Sequence, residues 1–167
     1  MSKRPCPGAK SELNLWFTEK RSGVWNTPQN LGKPLINQKV HAASVLPDGN
    51  IYATGLVVFE KDDSGYKSEQ KLHPVISGSQ PAVSPDGSYI VFSGRGKDSF
   101  GGNDLYVIHK KKDNTWTSPK NLGKEINTKN FESSPTISRD GKFLFFSRKG
   151  DIWWVSLTTI TNLKENN

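Results

Sequence analysis

Cysteine is nearly absent from this chain. Cys6 stands alone, so no intrachain disulfide can staple the fold and no cysteine-rich zinc site can form. It lies in a polar, proline-containing N-terminal stretch and reads as a free thiol. Histidine is scarce as well: His41, His73 and His109 have spacings that fit no helical zinc motif. No apolar run approaches the roughly 18 residues that cross a bilayer, which excludes a transmembrane helix. Met1–Lys10 carries basic residues with no apolar segment after them, so no secretory signal is visible. A cytoplasmic protein and an exported one whose leader lies outside this sequence both remain open. Helical periodicity is missing throughout.

Aromatic and turn residues are plentiful instead. The 167 residues include five Trp, eight Phe and four Tyr beside 15 Gly and 10 Pro, a balance that suits short strands joined by tight turns and not a disordered chain. The net charge of +7 comes from 23 Lys+Arg against 16 Asp+Glu and attracts acidic partners at low salt. Its largest run, Lys110 to Lys112, is followed at once by Asp113, and the other lysines are scattered. A nucleic-acid footprint needs a concentrated stripe interleaved with stacking aromatics, so no specific nucleic acid is expected.

Internal repetition sets the organisation. Three segments align on an Asp-Gly pair: Ala43 to Gly49, Pro81 to Gly87 and Pro135 to Gly141, each followed by a strand-like run at Ile51–Thr54, Tyr89–Phe92 and Phe143–Phe146. A second unit falls between them. Leu13-Asn14-Leu15-Trp16-Phe17 with Trp25, Pro28 and Asn30-Leu31-Gly32 matches Asn103-Asp104-Leu105-Tyr106-Val107 with Trp116, Pro119 and Asn121-Leu122-Gly123; the two tryptophans are 91 positions apart. A degenerate middle copy runs through Val57–Glu60 and Tyr66–Leu72. Intervals of 38 and 54 residues between Asp48, Asp86 and Asp140 are those of propeller repeats, the longer one holding a loop insertion. Each repeat offers about four short strand runs, the unit of a propeller blade. The strands expected are 13–18, 24–29, 42–46, 50–54, 56–60, 66–72, 80–84, 89–93, 103–110, 114–118, 134–138, 143–147, 151–156 and 157–162.

The fold class expected is therefore all-β: a small or partial β-propeller of about three and a half four-stranded antiparallel blades. Its organisation is a flexible tail at 1–10, the repeat domain at 11–163 and a short tail at 164–167. Asp48, Gly49, Asp86, Gly87, Asp140 and Gly141 read as hairpin devices, with Asp bonding the following backbone and Gly supplying positive φ. Recurrence at the same turn argues against catalysis or metal binding by these carboxylates. Trp25 and Trp116, in register, read as packing between blades.

Pro81 to Ser93, then Gly101-Gly102-Asn103-Asp104-Leu105-Tyr106, Trp116, Pro119, Asn121-Leu122-Gly123 and Ile126-Asn127-Thr128, with Glu132 and Pro135 opening the next unit, resemble the WD40-like (PD40) β-propeller repeats of the TolB type. The resemblance implies a noncatalytic platform in the periplasm or cell envelope. A typical propeller closes with about four to eight blades, more than this chain supplies. Three arrangements follow: a compact ring whose N-terminal strands complete the C-terminal blade, a part of a larger propeller, or a homodimer through unpaired strands.

Dedicated chemistry finds little support. No Ser sits in a Gly-x-Ser-x-Gly elbow. The Gly94-Arg95-Gly96…Gly101-Gly102 stretch lacks the Gly-Lys-Ser/Thr ending of a phosphate loop. Asp62, Asp63, Asp98, Glu125 and Glu132 form no recognisable glycosidase pair. The expectation is a non-enzyme with no cofactor and no metal, acting through a loop face. Two clusters are candidates for that face: Arg95, Lys97, Phe100 and Asn103; and Lys39, His41, Asn130, Phe131 and Glu132. The expected partner is a protein or an anionic cell-envelope component. A lectin-like propeller that binds a glycan is the alternative, and a glycoside-processing enzyme a minor one.

Overall fold

The computed structural model describes residues 14–35, 40–72 and 78–160; Cys6, Lys39 and His73 lie outside them. Among the described residues four sheets follow one another along the chain, beside two further two-stranded hairpins. The first pairs β1 (Trp16–Phe17) with β4 (Gln29–Asn30), the hairpin of β2 (Lys20–Arg21) and β3 (Val24–Trp25) lying between them in sequence. In the second, β5 (Ala43–Val45), β6 (Ile51–Ala53), β7 (Val57–Phe59) and β10 (Gln70–Lys71) are adjacent, with a hairpin of β8 (Lys61–Asp62) and β9 (Gly65–Tyr66) before the outer strand. The third holds β11 (Gly78–Val83), β12 (Tyr89–Gly94), β13 (Asp104–His109) and β14 (Lys120–Asn121). The fourth holds β15 (Glu132–Ile137), β16 (Phe143–Arg148) and β17 (Asp151–Ser156). The result is all-β, a partial propeller of one half-blade, two four-stranded blades and a last blade with three strands among the described residues.

The strands alternate their side chains between two faces, and each inner blade is covered on both. Strands such as Ile90-Val91-Phe92 and Leu105 to Ile108 are accordingly apolar at every position and fully buried. Odd and even positions feed different layers. Leu15 and Leu31 of the half-blade pack on Ile51, Ala53, Val57 and Phe59 of the second sheet. Tyr52, Leu56 and Val58, on the onward face of that sheet, meet Ile90, Phe92, Tyr106 and Ile108 of the third. Val91, Leu105 and Val107 then meet Leu144 and Phe146 of the fourth. The core is thus three stacked interblade layers.

One hydrogen bond repeats in every complete copy of the outer strand. The N–H of Leu31, Leu72 and Leu122 donates to the carbonyl of Leu15, Leu56 and Leu105 at 3.1, 2.8 and 3.0 Å. This places the degenerate middle copy in register with the other two, although Lys71 and Leu72 stand where the others have Asn-Leu.

Several sequence expectations change. The strands expected at 24–29 and 66–72 are each divided, into Val24–Trp25 and Gln29–Asn30 and into Gly65–Tyr66 and Gln70–Lys71. The outer strand expected at 114–118 is instead Lys120–Asn121; residues 110 to 116 form a hairpin tip closed by a bridge between Lys110 and Trp116. Thr117 N–H still bonds the His109 carbonyl at 2.9 Å, but Pro119 has no N–H, so pairing must restart beyond it. Leu157–Thr159 is a 3-10 turn and not the start of a fourth strand at 157–162; Leu157 and Ile160 turn inward and join the layer shared with the third sheet. Finally, β1 and β4 form a sheet of their own and do not complete β15–β17.

The Asp-Gly turns show the hairpin chemistry. Ser84 and Ser138 hydroxyls each donate to the carboxylate two residues on, Asp86 or Asp140, at 2.6 Å. The same carboxylates accept the N–H of Ser88 and Lys142 at 3.1 Å. Asp48 accepts from Asn50 N–H at 2.9 Å, with Leu46 where the others have Ser. Gly49, Gly87 and Gly141 hold φ of 85°, 72° and 68°, the left-handed region that favours glycine.

Candidate functional site

Two insertions between strands meet at one end of the third and fourth sheets: the loop of residues 95–103, between β12 and β13, and residues 124–131, leading into β15. Gly102 N–H donates to the Asn130 carbonyl at 3.4 Å, and Glu132 N–H to the Asn103 carbonyl at 2.8 Å. A side chain at Gly102 would stand 2.6 Å from the Phe131 ring, so glycine there lets the ring lie flat on the backbone. Gly101 sits as closely against the Lys129 backbone.

Buried polar side chains brace both loops from beneath. The Asp104 carboxylate, fully buried, accepts Phe100 N–H at 2.9 Å and Asn121 Nδ2 at 2.8 Å. Asn121 Oδ1 accepts from Gly123 N–H at 2.8 Å and from Asn127 Nδ2 at 2.7 Å. Asn127 in turn pairs with Leu105 like a strand residue, through Oδ1 at 2.8 Å and Nδ2 at 2.9 Å. The Tyr106 hydroxyl donates to Asp98 Oδ1 at 2.8 Å and accepts Gly96 N–H at 3.2 Å; burial pushes that phenol above its usual range. These bonds pair polar groups at and beneath the surface, so the network fixes loop geometry as well as contributing stability.

Of the sequence-derived candidates, Arg95, Lys97, Phe100 and Phe131 are exposed on this loop pair, and Asn103 and Asn130 are partly covered. Phe100 is 51% and Phe131 62% exposed. Glu132 is not a surface residue: it is fully buried, and its carboxylate accepts Thr128 Oγ1 at 2.7 Å and Thr128 N–H at 3.2 Å. Arg148 stands 3.9 Å away as its counter-charge, its guanidinium lying 4.0 Å over the Trp153 ring. An anion entering a strand start needs this kind of compensation, and sequence alone did not reveal its depth.

His41 lies elsewhere, exposed at the entry to β5. With Ser44, Gln80, Pro81, Ser134 and Thr136 it lines a groove of about 470 Å³ along the three inner strands β5, β11 and β15. Here Ser44 Oγ donates to the Pro81 carbonyl at 2.7 Å, tying the second sheet to the third. Lys110, Lys111 and Lys112 flank a cleft at the opposite end with Asp48, Asp86 and Tyr52, so turn carboxylates partly offset the basic run. Among the described residues no cluster of three His, Cys, Asp or Glu side chains is placed to hold a metal ion, and no helix is long and apolar enough to cross a membrane.

The residues that sequence reading passed over are Asp104, Asn121 and Asn127. Their signal was present in the paired Asn-Leu-Gly and Ile-Asn segments, but recurrence does not show that the side chains converge.

No family model matches the chain, and no curated protein matches it. Solved structures do. The chain is similar to TolB from Acinetobacter baumannii, with a TM-score of 0.52 and 14% identity over 81% of this chain and 33% of that one. It is also similar to a Mycobacterium tuberculosis puromycin-hydrolyzing peptidase, with a TM-score of 0.53 and 16% identity over 85% of this chain and 27% of that one. The chain therefore spans about a third or less of the structures it resembles, and at such identities the likeness is one of fold: several small antiparallel sheets in a partial propeller-like arrangement.

Proposed function

We propose that this chain is a noncatalytic binding platform that engages a protein or an anionic cell-envelope component through the loop face of residues 95–103 and 128–131. The observation that carries this reading is the contrast within that face. Its backbone is held from below by Asp104, Asn121, Asn127 and Glu132, while Phe100 and Phe131 stay open to solvent on loops that also carry the exposed Arg95, Lys97 and Lys129. Exposed aromatics on a preorganised backbone lose little entropy on binding, and nearby cations steer an acidic partner. The likeness to TolB supports an envelope setting by analogy of fold only.

The reading is tested by placing a photo-crosslinking phenylalanine analogue at position 100 or 131 in cells, with Val45 as the control. Val45 is 64% exposed and lies at the opposite end of the sheets. Discrete products from positions 100 and 131 that vanish with Arg95→Glu and Lys97→Glu are expected. Equal products from position 45, or none from the loops, would sink the proposal.

A further inference from the structure

The interblade layers follow one rule. Register places Tyr52, Val91 and Phe145 at equivalent positions of the second strands, Leu56, Leu105 and Ile152 at equivalent positions of the third, and Val58, Val107 and Trp154 two residues on. In the second and third sheets these onward-facing residues are buried, each against the blade that follows. In the last sheet the same trio is open: Phe145 is 38%, Ile152 80% and Trp154 64% exposed. Trp154 and Phe143 pack in a T shape with ring centroids 5.4 Å apart, which orders the patch. Ser147 stands in the place of Ser93, whose hydroxyl reaches the following blade at the Glu132 carbonyl, 2.9 Å away.

The other end of the chain carries the complementary lack. Tyr66 and Trp116, each on a hairpin tip, pack back onto the preceding layer; Trp116 meets Tyr52 edge-on at 6.4 Å. Trp25 is their counterpart on the half-blade, and it is 63% exposed. So the last described blade presents an onward face of the kind the other blades cover, and the half-blade presents a tip whose counterparts cover such a face.

We infer that the last blade receives the N-terminal half-blade of a second copy of this chain, head to tail, with the copy's Trp25 packing on Phe145 as Trp116 packs on Tyr52. The contact is heterologous, and two copies arranged about one axis make it twice and close. It removes apolar surface that a monomer leaves in water and continues an interface already present three times within the chain. The driving force is apolar, and each copy carries a net charge of +7, so added salt screens repulsion and tightens the association.

The test is sedimentation velocity of the full chain across a wide concentration range, with the variants Trp25→Lys and Trp154→Lys. Both positions are exposed, so each variant should keep the denaturation midpoint that the parent shows when diluted to monomer. The parent should approach twice 18.6 kDa, more readily in high salt, and each variant should dissociate at least about tenfold more easily. An equimolar mixture of the two variants should associate better than either alone, because one junction then keeps both tryptophans. A parent that stays monomeric throughout overturns the inference. So does a dimer indifferent to Trp25→Lys, which would mean two last blades meeting face to face.

Discussion

Gln80 and Ser134, 54 positions apart in sequence, are joined by a 2.8 Å hydrogen bond from the Ser134 backbone N–H to Gln80 Oε1. Each is the bulged residue of its inner strand, with φ of 56° and 51°, and each precedes a proline. The register of β11 on β12 shifts between Ser79 and Ala82, and that of β15 on β16 between Ser133 and Thr136. A bulge leaves one backbone group without a ladder partner, and here the neighbouring blade's bulge supplies it. Gln80→Ala should therefore lower stability by about 1 kcal/mol, read from urea unfolding. An unchanged midpoint would show that water replaces the amide without loss.

Turn aspartates share a cause for their acidity. Hydroxyl donation by Ser84 and Ser138 holds Asp86 and Asp140 below the usual carboxylate range, and Ser64 and Thr115 do the same for Asp62 and Asp113. Because the folded-state values are depressed, the stabilisation is present above the unfolded value, about 3.9 for Asp, and is lost as pH falls through the folded one. Carboxyl-carbon titration by NMR should place Asp86 and Asp140 below that reference, and Ser84→Ala should move Asp86 back up. A titration of Asp86 indifferent to that substitution would refute the hydroxyl as cause.

Adjacent glycines of the loop face should respond differently to alanine. Gly102→Ala meets the Phe131 ring first, and that ring is exposed and can swing, so stability should change by less than about 1 kcal/mol while NMR ring-current shifts on the loop are lost. Gly101→Ala meets the Lys129 backbone, which cannot yield as cheaply, and should cost about 1–3 kcal/mol. Thermal unfolding of the two variants checks the contrast, and equal losses would contradict it.

Glu132 links strand, loop and counter-charge. Glu132→Ala strands Arg148 and frees Thr128 together, and should cost about 3 kcal/mol, whereas Thr128→Val removes one hydroxyl and should cost about 1 kcal/mol. Faster amide exchange at residues 124–131 should accompany the first substitution. A Glu132→Ala protein as stable as the parent would remove the carboxylate from the loop's support.

The repeat, the inner strands and the Asp-Gly turns were legible in the sequence, because they depend on local chemistry: runs of β-branched and aromatic residues, and Asp-Gly pairs that bend. The breaks that Pro28 and Pro119 put into the outer strands were not. Tertiary structure decided what local chemistry leaves degenerate. Aligned on Asp48, the second sheet's strand matches the others in sequence phase, yet Val45 pairs with Ile51 where Val83 pairs with Ile90 and Ile137 with Leu144. That hairpin is one residue shorter, and a single-residue shift sends every side chain to the opposite face. Only packing of Tyr52 against Trp116 and of Ile51 into the preceding layer fixes which face each takes. The depth of Glu132 and the exposure of Trp25 have the same origin: their sequence environments repeat, but burial depends on whether a neighbouring blade stands beside them.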